Sequence, residues 1–408
     1  MTARSAARTM LASMPWTERS HPRRIAIAVV VVLAVALASA ASAVAKSDGA
    51  VNVRYARAAL PAGGLSIPDG ATSLTWQSDV FDPGFAFTEL VASWNADAPA
   101  GTIVEVDMQS TPDNARWTKW YVMGRWAYDD TTFLRTSVPA QGDSDGYVAI
   151  DTFVAGKTPM VAYRLQVVLT GTSGTSPAVR SLGAMASNVP AKFAVPSTRT
   201  FTGAAALPWD VPAYSQEIHT GDYSQFDGGG EAWCSPTSTE MVVAYWGRGP
   251  DAADLSYIPA DHPDPQVDYA ARYTYDYNYH GTGNWPFNTA YAARYGLDAF
   301  VTRLRSLNEA ELFIRAGIPL VASIGVDSHK LDGFMFKSSN GHLLVIVGIT
   351  PEGNVVVNDP AAPSDLAVPR VYDRAQFEDA WLNHSGGIVY VIHDPSVPLP
   401  QAPAQANW

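Results

Sequence analysis

The chain of 408 residues has little cysteine: a single one, Cys234. One cysteine cannot form a disulfide within the chain, so the fold must be stabilised by apolar cores, for which 47% hydrophobic residues is ample. Such a thiol is an inert buried side chain, a link between chains or a reactive group. The residues around Cys234, and the partners predicted for it, favour a reactive group.

Basic residues are also scarce, with 27 Lys and Arg against 39 Asp and Glu and a formal net charge of −12. Residues 1–45 hold five arginines and one glutamate, so a chain without them carries −16. Binding to nucleic acid requires clustered basic side chains that neutralise phosphates. We therefore exclude nucleic acid as a partner.

Long hydrophobic runs are rare, and the clearest one lies near the N-terminus, in residues 25–45. It follows Arg23 and Arg24 and ends in small residues with A-x-A spacing, which is typical of a secretory signal peptide. An uncleaved membrane anchor is the alternative, since about 20 apolar residues can span a bilayer. We expect residues 1–45 to be a signal peptide and the protein to be secreted, or held at the cell surface if the segment stays uncleaved.

The first half of the remaining chain has a period of two. Residues 46–72 show no clear period and are interpreted as a leader or linker. In residues 73–189 apolar and polar positions alternate in short segments separated by turn residues, which predicts an antiparallel all-β sandwich. This region contains five tryptophans that either pack in the core or form a sugar-binding face: Trp76, Trp94, Trp117, Trp120 and Trp126. Core packing is favoured, with Trp117 and Trp120 expected to be the most exposed.

The second half changes character. Residues 190–207 contain Pro, Ser and Thr and are interpreted as a linker between domains. In residues 208–395 helical patterns come first and apolar strand patterns follow, so we predict an α+β domain. Residues 396–408 are rich in Pro and Ala and are expected to be a mobile tail.

Cys234 lies at the start of a predicted helix. Pro236 suits the first helical position, Ser235 the N-cap, and Gly247 the C-terminal stop. Unpaired N–H groups and the helix dipole favour an anion at this end. The position therefore favours a thiol that ionises readily, as a nucleophile must.

A histidine and an aspartate follow on one predicted hairpin. His342 opens an apolar strand pattern, a turn at residues 350–354 reverses the chain, and residues 355–358 lead to Asp359. We expect the two side chains at the same end of adjacent strands, about three residues out of register, so that a bulge, a wide loop or strand twist must close the offset. His342 then serves as the base for Cys234, and Asp359 orients its ring. An oxyanion donor is also required, with Gln216 favoured and Gln225 as the alternative.

These residues lie in motifs that resemble cysteine peptidase family 39, the bacteriocin-leader-processing type with a papain-like fold. The motifs are Val-Pro-x-x-Ser-Gln, Cys-x-Pro-Thr-Ser, Gly-His and Asn-Asp-Pro, within residues 206–395. The resemblance implies that Cys234 is the nucleophile, His342 the base, Asp359 the orienting residue and Gln216 the oxyanion donor. It is stronger to secreted stand-alone members than to transporter-linked ones, so cleavage after a double glycine is not carried over. Ser235 stands where such families commonly have glycine, which leaves the substrate open.

We therefore expect an exported cysteine hydrolase, most simply a peptidase acting on a peptide or protein substrate. The β-sandwich is expected to contact a cell surface or polysaccharide. Acyl transfer to another amine uses the same chemistry. Two other functions remain: a catalytically inactive cell-surface scaffold, and a cell-wall amide hydrolase that uses the same residues.

No cofactor is expected. The cluster Asp261, His262 and Asp264 has the residue types of a metal site. One histidine beside close carboxylates is more often a solvated loop. We therefore predict no metal ion in this protein.

Overall fold

The computed structural model describes residues 50–172, 174–199, 209–328 and 330–408. The signal peptide predicted at residues 1–45 lies outside the described residues, as do residues 46–49 and 200–207 of the two predicted linkers. None of the helices in the four described ranges combines the length and the hydropathy needed to cross a bilayer.

The first half of the described chain forms strands in two antiparallel sheets. The strands are β1 Asn52–Arg57, β2 Leu65–Ser66, β3 Ser73–Gln77, β4 Glu89–Asp97, β5 Ile103–Thr111, β6 Tyr121–Trp126, β7 Gly146–Ala149, β8 Thr152–Ala155, β9 Ala162–Thr170 and β10 Ala178–Asn188. One sheet has the order β1-β10-β4-β8-β7, with β2 beside β10, and the other has the order β3-β9-β5-β6. Leu165, Val167 and Leu169 alternate along β9 and are buried, as expected when one face of a sheet covers a core.

Two tryptophans of this half are fully buried, and two others are half-buried. Trp94 and Trp126 are 1% and 0% exposed and lie in a core that both sheets share. Trp117 and Trp120 are half-buried, and their rings lie 4.6 Å and 5.3 Å from the guanidinium of Arg164. Trp94 and Trp126 therefore pack in the core, as expected for large aromatic side chains.

The second half mixes helices with one six-stranded antiparallel sheet. The helices are α1 Cys234–Tyr245, α2 Pro265–Thr274, α3 Trp285–Arg294, α4 Leu307–Arg315 and α5 Arg374–Ser385. The strands are β11 Asp298–Arg303, β12 Leu320–Val326, β13 Ser339–Ile349, β14 Val355–Asn358, β15 Pro369–Tyr372 and β16 Ile388–His393. The sheet has the order β11-β16-β12-β13-β14-β15, and α1 packs against β13 while α5 packs against β12.

Local sequence signals explain where several helices begin and end. Asn284 caps α3 by accepting a hydrogen bond from the N–H of Phe287 at 3.2 Å. Gly296 and Gly317 have φ angles of 79° and 81° just after α3 and α4, a conformation that glycine adopts without cost. Both helices therefore end at a glycine in the left-handed conformation.

The structure differs from the sequence expectation at residues 46–72, which were interpreted as a leader or linker. Residues 52–57 form β1, which pairs with β10 along its whole length. Val53 and Tyr55 point into the core and are 0% and 7% exposed. The strand has the period-two pattern, but it is short and the surrounding glycines and prolines hide it.

The C-terminal tail, expected to be mobile, is packed in the structure. Asn407 is fully buried and its Nδ2 donates to the carbonyl of Arg303 at 2.7 Å. The carbonyl of Ala406 accepts from the N–H of Tyr55 at 3.1 Å, and the ring of Trp408 lies 4.9 Å from that of Phe313. Residues near the two ends of the described chain thus contact each other.

The two halves pack together more closely than the predicted linker suggests. Phe287 of α3 lies 6.2 Å from Trp94 and 5.6 Å from Trp126, inside the core of the first half. In the predicted linker, Phe193 is buried and its N–H donates to Asn383 Oδ1 of α5 at 2.6 Å. The β-rich half is therefore a packed neighbour of the second half and not a loosely tethered module.

Candidate active site

The helix that carries the predicted nucleophile begins at Cys234 itself. Ser235, predicted as the N-cap, lies inside α1, and its hydroxyl hydrogen-bonds the hydroxyl of Tyr390 at 2.9 Å. The cap position is taken by Trp233, whose side chain makes no capping bond. The N–H of Cys234 is then among the orphan donors of the first turn. Cys234 is partly exposed while Ser235 and Pro236 are buried, so the thiol is the accessible side chain at this end.

A β-bulge sets the register of the two strands that carry His342 and Asp359. Val345 pairs with Asn358, Ile349 pairs with Val355, and the extra residue between these pairs is Val347. Continued past Asn358, this register places Asp359 opposite Leu344, two residues from His342 and on the same face of the sheet. The bulge removes one residue of the predicted offset, and the long imidazole and carboxylate side chains cover the rest.

His342 and Asp359 form a buried pair. His342 Nε2 lies 2.7 Å from Asp359 Oδ1, and the residues are 3% and 0% exposed. Asp359 Oδ1 also accepts from the N–H of Ala361 at 3.1 Å, and its Oδ2 accepts from the Tyr372 hydroxyl at 2.6 Å. Burial opposes ionisation of Asp359, but His342 and these donors outweigh it and keep the pKa of the carboxyl below its usual value.

Cys234 contributes to the charge state of the same histidine. Burial alone would lower the pKa of His342, but the Asp359 carboxylate and then the Cys234 side chain raise it from 6.5 to about 10. Since Asp359 occupies Nε2, Nδ1 is the nitrogen left for the thiol. The ring of His342 therefore interacts with the Asp359 carboxylate on one side and with the Cys234 side chain on the other.

Gln216 lies next to this group, between the segment before Cys234 and the loop after Asp359. Its N–H donates to the carbonyl of Pro360 at 2.9 Å, and its Nε2 donates to the carbonyl of Glu231 at 2.9 Å. The side chain is almost fully buried, whereas Gln225, the alternative donor, is exposed. The structure therefore places Gln216, and not Gln225, between the segments that lead to Cys234 and follow Asp359.

Three residues around the site were not found from the sequence. Tyr372 donates to Asp359, Ser238 Oγ donates to the carbonyl of Leu343 at 3.1 Å, and the ring of Phe334 lies 5.4 Å from that of His342. Ser238 had a detectable signal, since it lies one helical turn after Cys234. Tyr372 and Phe334 reach the site only through tertiary packing.

His262, considered for a metal site and interpreted as part of a solvated loop, lies in a cluster. Its Nδ1 is 3.2 Å from Asp268 Oδ2 and 3.5 Å from Asp222 Oδ2. The fully buried His219 lies beside the same two carboxylates. Two imidazoles and two carboxylates are a donor set that can hold a metal ion, and Asp261 and Asp264 are not part of it.

The family relationship covers most of the chain. Residues 55–187 match the peptidase C39 N-terminal domain, and residues 209–389 match the Peptidase_C39-like family. The chain belongs to the peptidase C39 family. The resemblance seen in the motifs is thus confirmed, and the β-rich half belongs to the N-terminal domain of such proteins. A peptidase-type hydrolase is what the family supports for this chain.

Other comparisons add little to the peptidase C39 assignment. No curated protein matches the chain. Among solved structures, infectious bursal disease virus of the Gt strain matches with a TM-score of 0.21 and 11% identity over 33% of this chain and 32% of that chain. The Gx strain gives 0.21 and 12% over 34% and 32%, and the VP2 subviral particle of this virus 0.16 and 12% over 34% and 30%. This chain spans about a third of the length of those chains, and such low TM-scores support no conclusion.

Proposed function

We propose that this protein is an exported cysteine peptidase that cleaves peptide bonds with Cys234 as nucleophile, His342 as base and Asp359 as orienting residue, and with Gln216 as oxyanion donor. The observation that carries the proposal is the buried His342–Asp359 pair at 2.7 Å, whose ring also interacts with the partly exposed Cys234. A scaffold has no use for this arrangement, because burying the Asp359 carboxylate costs free energy.

The proposed reaction follows from the positions of these groups. The Cys234 thiolate attacks the carbonyl carbon of the substrate, and the oxyanion that forms is stabilised by the N–H of Cys234 and the amide of Gln216. The His342 imidazolium gives its proton to the leaving amine as the C–N bond breaks. Water, deprotonated by the neutral ring, then hydrolyses the thioester and restores the thiolate. Asp359 holds the ring with Nδ1 toward sulfur throughout.

For the fold we propose a papain-like second half and a β-sandwich first half. The helix α1 packed against β13, with the thiol at its start and the imidazole on the strand, supports the first. Two antiparallel sheets that share a core containing Trp94 and Trp126 support the second. The half-buried pair Trp117 and Trp120 beside Arg164 is the surface we propose for contact with a polysaccharide or cell surface.

Labelling of the thiol tests the proposal directly. The full chain without residues 1–45 is treated with iodoacetamide at pH 6, where an ordinary thiol is largely protonated. We expect rapid alkylation of Cys234 that is strongly slowed in His342→Ala. The matched control is His280→Ala, which removes an exposed histidine elsewhere in the same half. Equal labelling of His342→Ala and the parent would support the inactive scaffold and contradict the enzyme.

Substrate profiling separates the two hydrolase functions. The parent and Cys234→Ala are incubated with a peptide library and, separately, with muropeptides. We expect cleavage of the library by the parent alone. Cleavage restricted to muropeptide stem peptides would contradict a general peptidase and support the cell-wall amide hydrolase. Export is tested by N-terminal sequencing of the protein recovered outside cells, with a start near residue 46 expected.

A further inference from the structure

The cluster of His219, Asp222, His262 and Asp268 has the features of a metal site. Asp268 lies on α2, His262 lies just before α2, and His219 and Asp222 lie in and just after the short 3₁₀ helix Glu217–His219. One ligand atom from each of His219, Asp222 and Asp268 lies within 4.8 Å of the other two. The segment around His219 and the segment around Asp268, about 45 residues apart in the chain, thus bring their donor atoms close together.

Four nitrogen–oxygen distances in this cluster can be compared with those of a tetrahedral site. His219 Nδ1 lies 3.3 Å from Asp268 Oδ1 and 3.9 Å from Asp222 Oδ2. His262 Nδ1 lies 3.2 Å and 3.5 Å from oxygens of the same two carboxylates. Ligands about 2.0–2.1 Å from a tetrahedral ion are about 3.3 Å from each other. The separations of 3.2, 3.3 and 3.5 Å are close to that value, and the His219–Asp222 separation of 3.9 Å is longer.

Unsatisfied polar atoms point to a missing partner. His219 is 0% exposed, and within the described part of the chain neither of its ring nitrogens has a hydrogen-bond partner. Asp268 is 1% exposed, and its Oδ1 also has no hydrogen-bond partner among the described residues. Their 3.3 Å contact therefore lacks hydrogen-bond geometry. Buried polar atoms are rarely left unpaired, because each unpaired atom costs about 1–3 kcal/mol. A metal ion can accept lone pairs from His219 Nδ1 and Asp268 Oδ1 at once.

Charge leads to the same conclusion. Among the ion pairs of the described residues, Asp222 and Asp268 are joined only to His219 and His262. As metal ligands, two carboxylates and two neutral imidazoles would carry a charge of −2, which one divalent cation neutralises. Two nitrogen donors and few oxygens suit Zn²⁺ and related transition metals, whereas Ca²⁺ takes six to eight oxygens.

We propose that His219, Asp222 and Asp268 bind a divalent transition-metal ion of the Zn²⁺ class, with His262 as the fourth ligand. The ion would fasten the 3₁₀ helix to α2. The N–H of His219 donates to the carbonyl of Gln216 at 3.1 Å, and its ring lies 6.1 Å from that of Trp233, the residue before Cys234. The site is therefore structural in role and lies beside, but outside, the catalytic group.

Metal binding is measured in the full chain without residues 1–45 that carries Cys234→Ala, because a thiolate–imidazole pair also binds Zn²⁺. After treatment with a chelator, the protein is titrated with Zn²⁺, Co²⁺ and Ca²⁺ by calorimetry, and Tm is recorded with each. We expect one Zn²⁺ per chain, a higher Tm with Zn²⁺ than with Ca²⁺, and Co²⁺ absorption bands typical of tetrahedral nitrogen and oxygen ligands.

Variants locate the ion. Asp222→Asn and His262→Gln are preferred to changes at His219, because their side chains are 27% and 21% exposed and the fold should tolerate them. We expect each to weaken Zn²⁺ binding about 10- to 100-fold or more and to remove the rise in Tm. The control His280→Gln, an exposed histidine outside the cluster, should bind as the parent does. Absence of Zn²⁺ binding in the parent, or binding unaffected by both variants, would overturn the proposal.

Discussion

The hydroxyl of Ser238 donates a hydrogen bond to the carbonyl of Leu343 at 3.1 Å. Ser238 lies one turn into α1 after Cys234, and Leu343 follows His342 in β13. Both residues are buried, at 0% and 5% exposed. This bond therefore adds a direct polar link, beside the apolar packing, between the helix that presents the thiol and the strand that presents the imidazole.

Ser238→Ala should disturb the site more than the fold. Loss of a buried hydrogen bond costs about 1 kcal/mol of unfolding free energy. We expect that loss in urea denaturation, together with a drop in kcat that is larger than the change in KM, because α1 and β13 are then free to shift. Ser256→Ala is the control: its hydroxyl makes the same type of bond, to Ala253 at 2.7 Å, on an exposed turn. Equal kcat values for the two variants would contradict the positioning role of Ser238.

Asp359→Asn should move the alkaline limit of activity to lower pH. In the parent, burial lowers the pKa of His342, but the Asp359 carboxylate and Cys234 together outweigh burial and raise it to about 10, so the imidazolium persists until the pH rises through that value. Without the carboxylate, burial dominates, the pKa falls, and the proton is lost earlier. Orienting carboxylates of this kind contribute up to about 10⁴-fold in kcat.

The measurement is the pH dependence of Cys234 alkylation and of kcat/KM for Asp359→Asn. Asp327→Asn, which removes an exposed carboxylate 2.7 Å from Lys330, serves as the control. An unchanged alkaline limb in Asp359→Asn would show that another group sets the pKa of His342.

The proximity of His342 and Asp359, and the position of Cys234 at a helix start, were predictable from the sequence because their signals are local. A lone cysteine followed by proline marks a helix start, and the spacing of His342 and Asp359 around a turn marks a hairpin. The family relationship that these motifs indicated is confirmed. The register was predictable only in outline, since nothing in the sequence marks the bulge at Val347.

Elements that depend on distant partners were not predictable in this way. Strand β1 is paired with β10, more than a hundred residues later, and Asn407 is held by Arg303. Tyr372 reaches Asp359 because β15 pairs with β14. His219 reaches Asp268 of α2 only through tertiary packing. In each case the tertiary contact, and not the local residue pattern, determines the position.

Gln216→Ala separates oxyanion stabilisation from activation of the thiol. Loss of one oxyanion donor lowers kcat by about 10²- to 10³-fold. Alkylation of Cys234 by iodoacetamide forms no oxyanion, so its rate should stay close to that of the parent. Gln225→Ala, at an exposed position, should leave both rates unchanged. A parallel loss of alkylation in Gln216→Ala would indicate that Gln216 supports the structure around Cys234 instead of the oxyanion.

Glu240→Gln should stabilise the protein in a pH-dependent way. Glu240 lies in α1 and is 1% exposed, and burial raises the pKa of its carboxyl from 4.5 to about 8, although a bond from the Tyr291 hydroxyl at 2.8 Å opposes the shift. Because the pKa of this carboxyl is raised in the folded state, the free energy of unfolding falls as the pH rises from 4.5 to about 8. In this window Glu240 ionises in the unfolded protein but stays protonated in the folded protein. Each pKa unit corresponds to about 1.4 kcal/mol.

Glutamine keeps the shape of Glu240 and an oxygen for Tyr291 but cannot ionise. The free energy of unfolding of Glu240→Gln, measured with urea at several pH values, should therefore be close to that of the parent near pH 4.5 and exceed it increasingly up to about pH 8. Asp69→Asn, at an exposed turn, should show no such divergence. A constant difference between parent and Glu240→Gln across this range would mean that Glu240 is already ionised in the folded protein, and that its burial is compensated by the neighbours of α1.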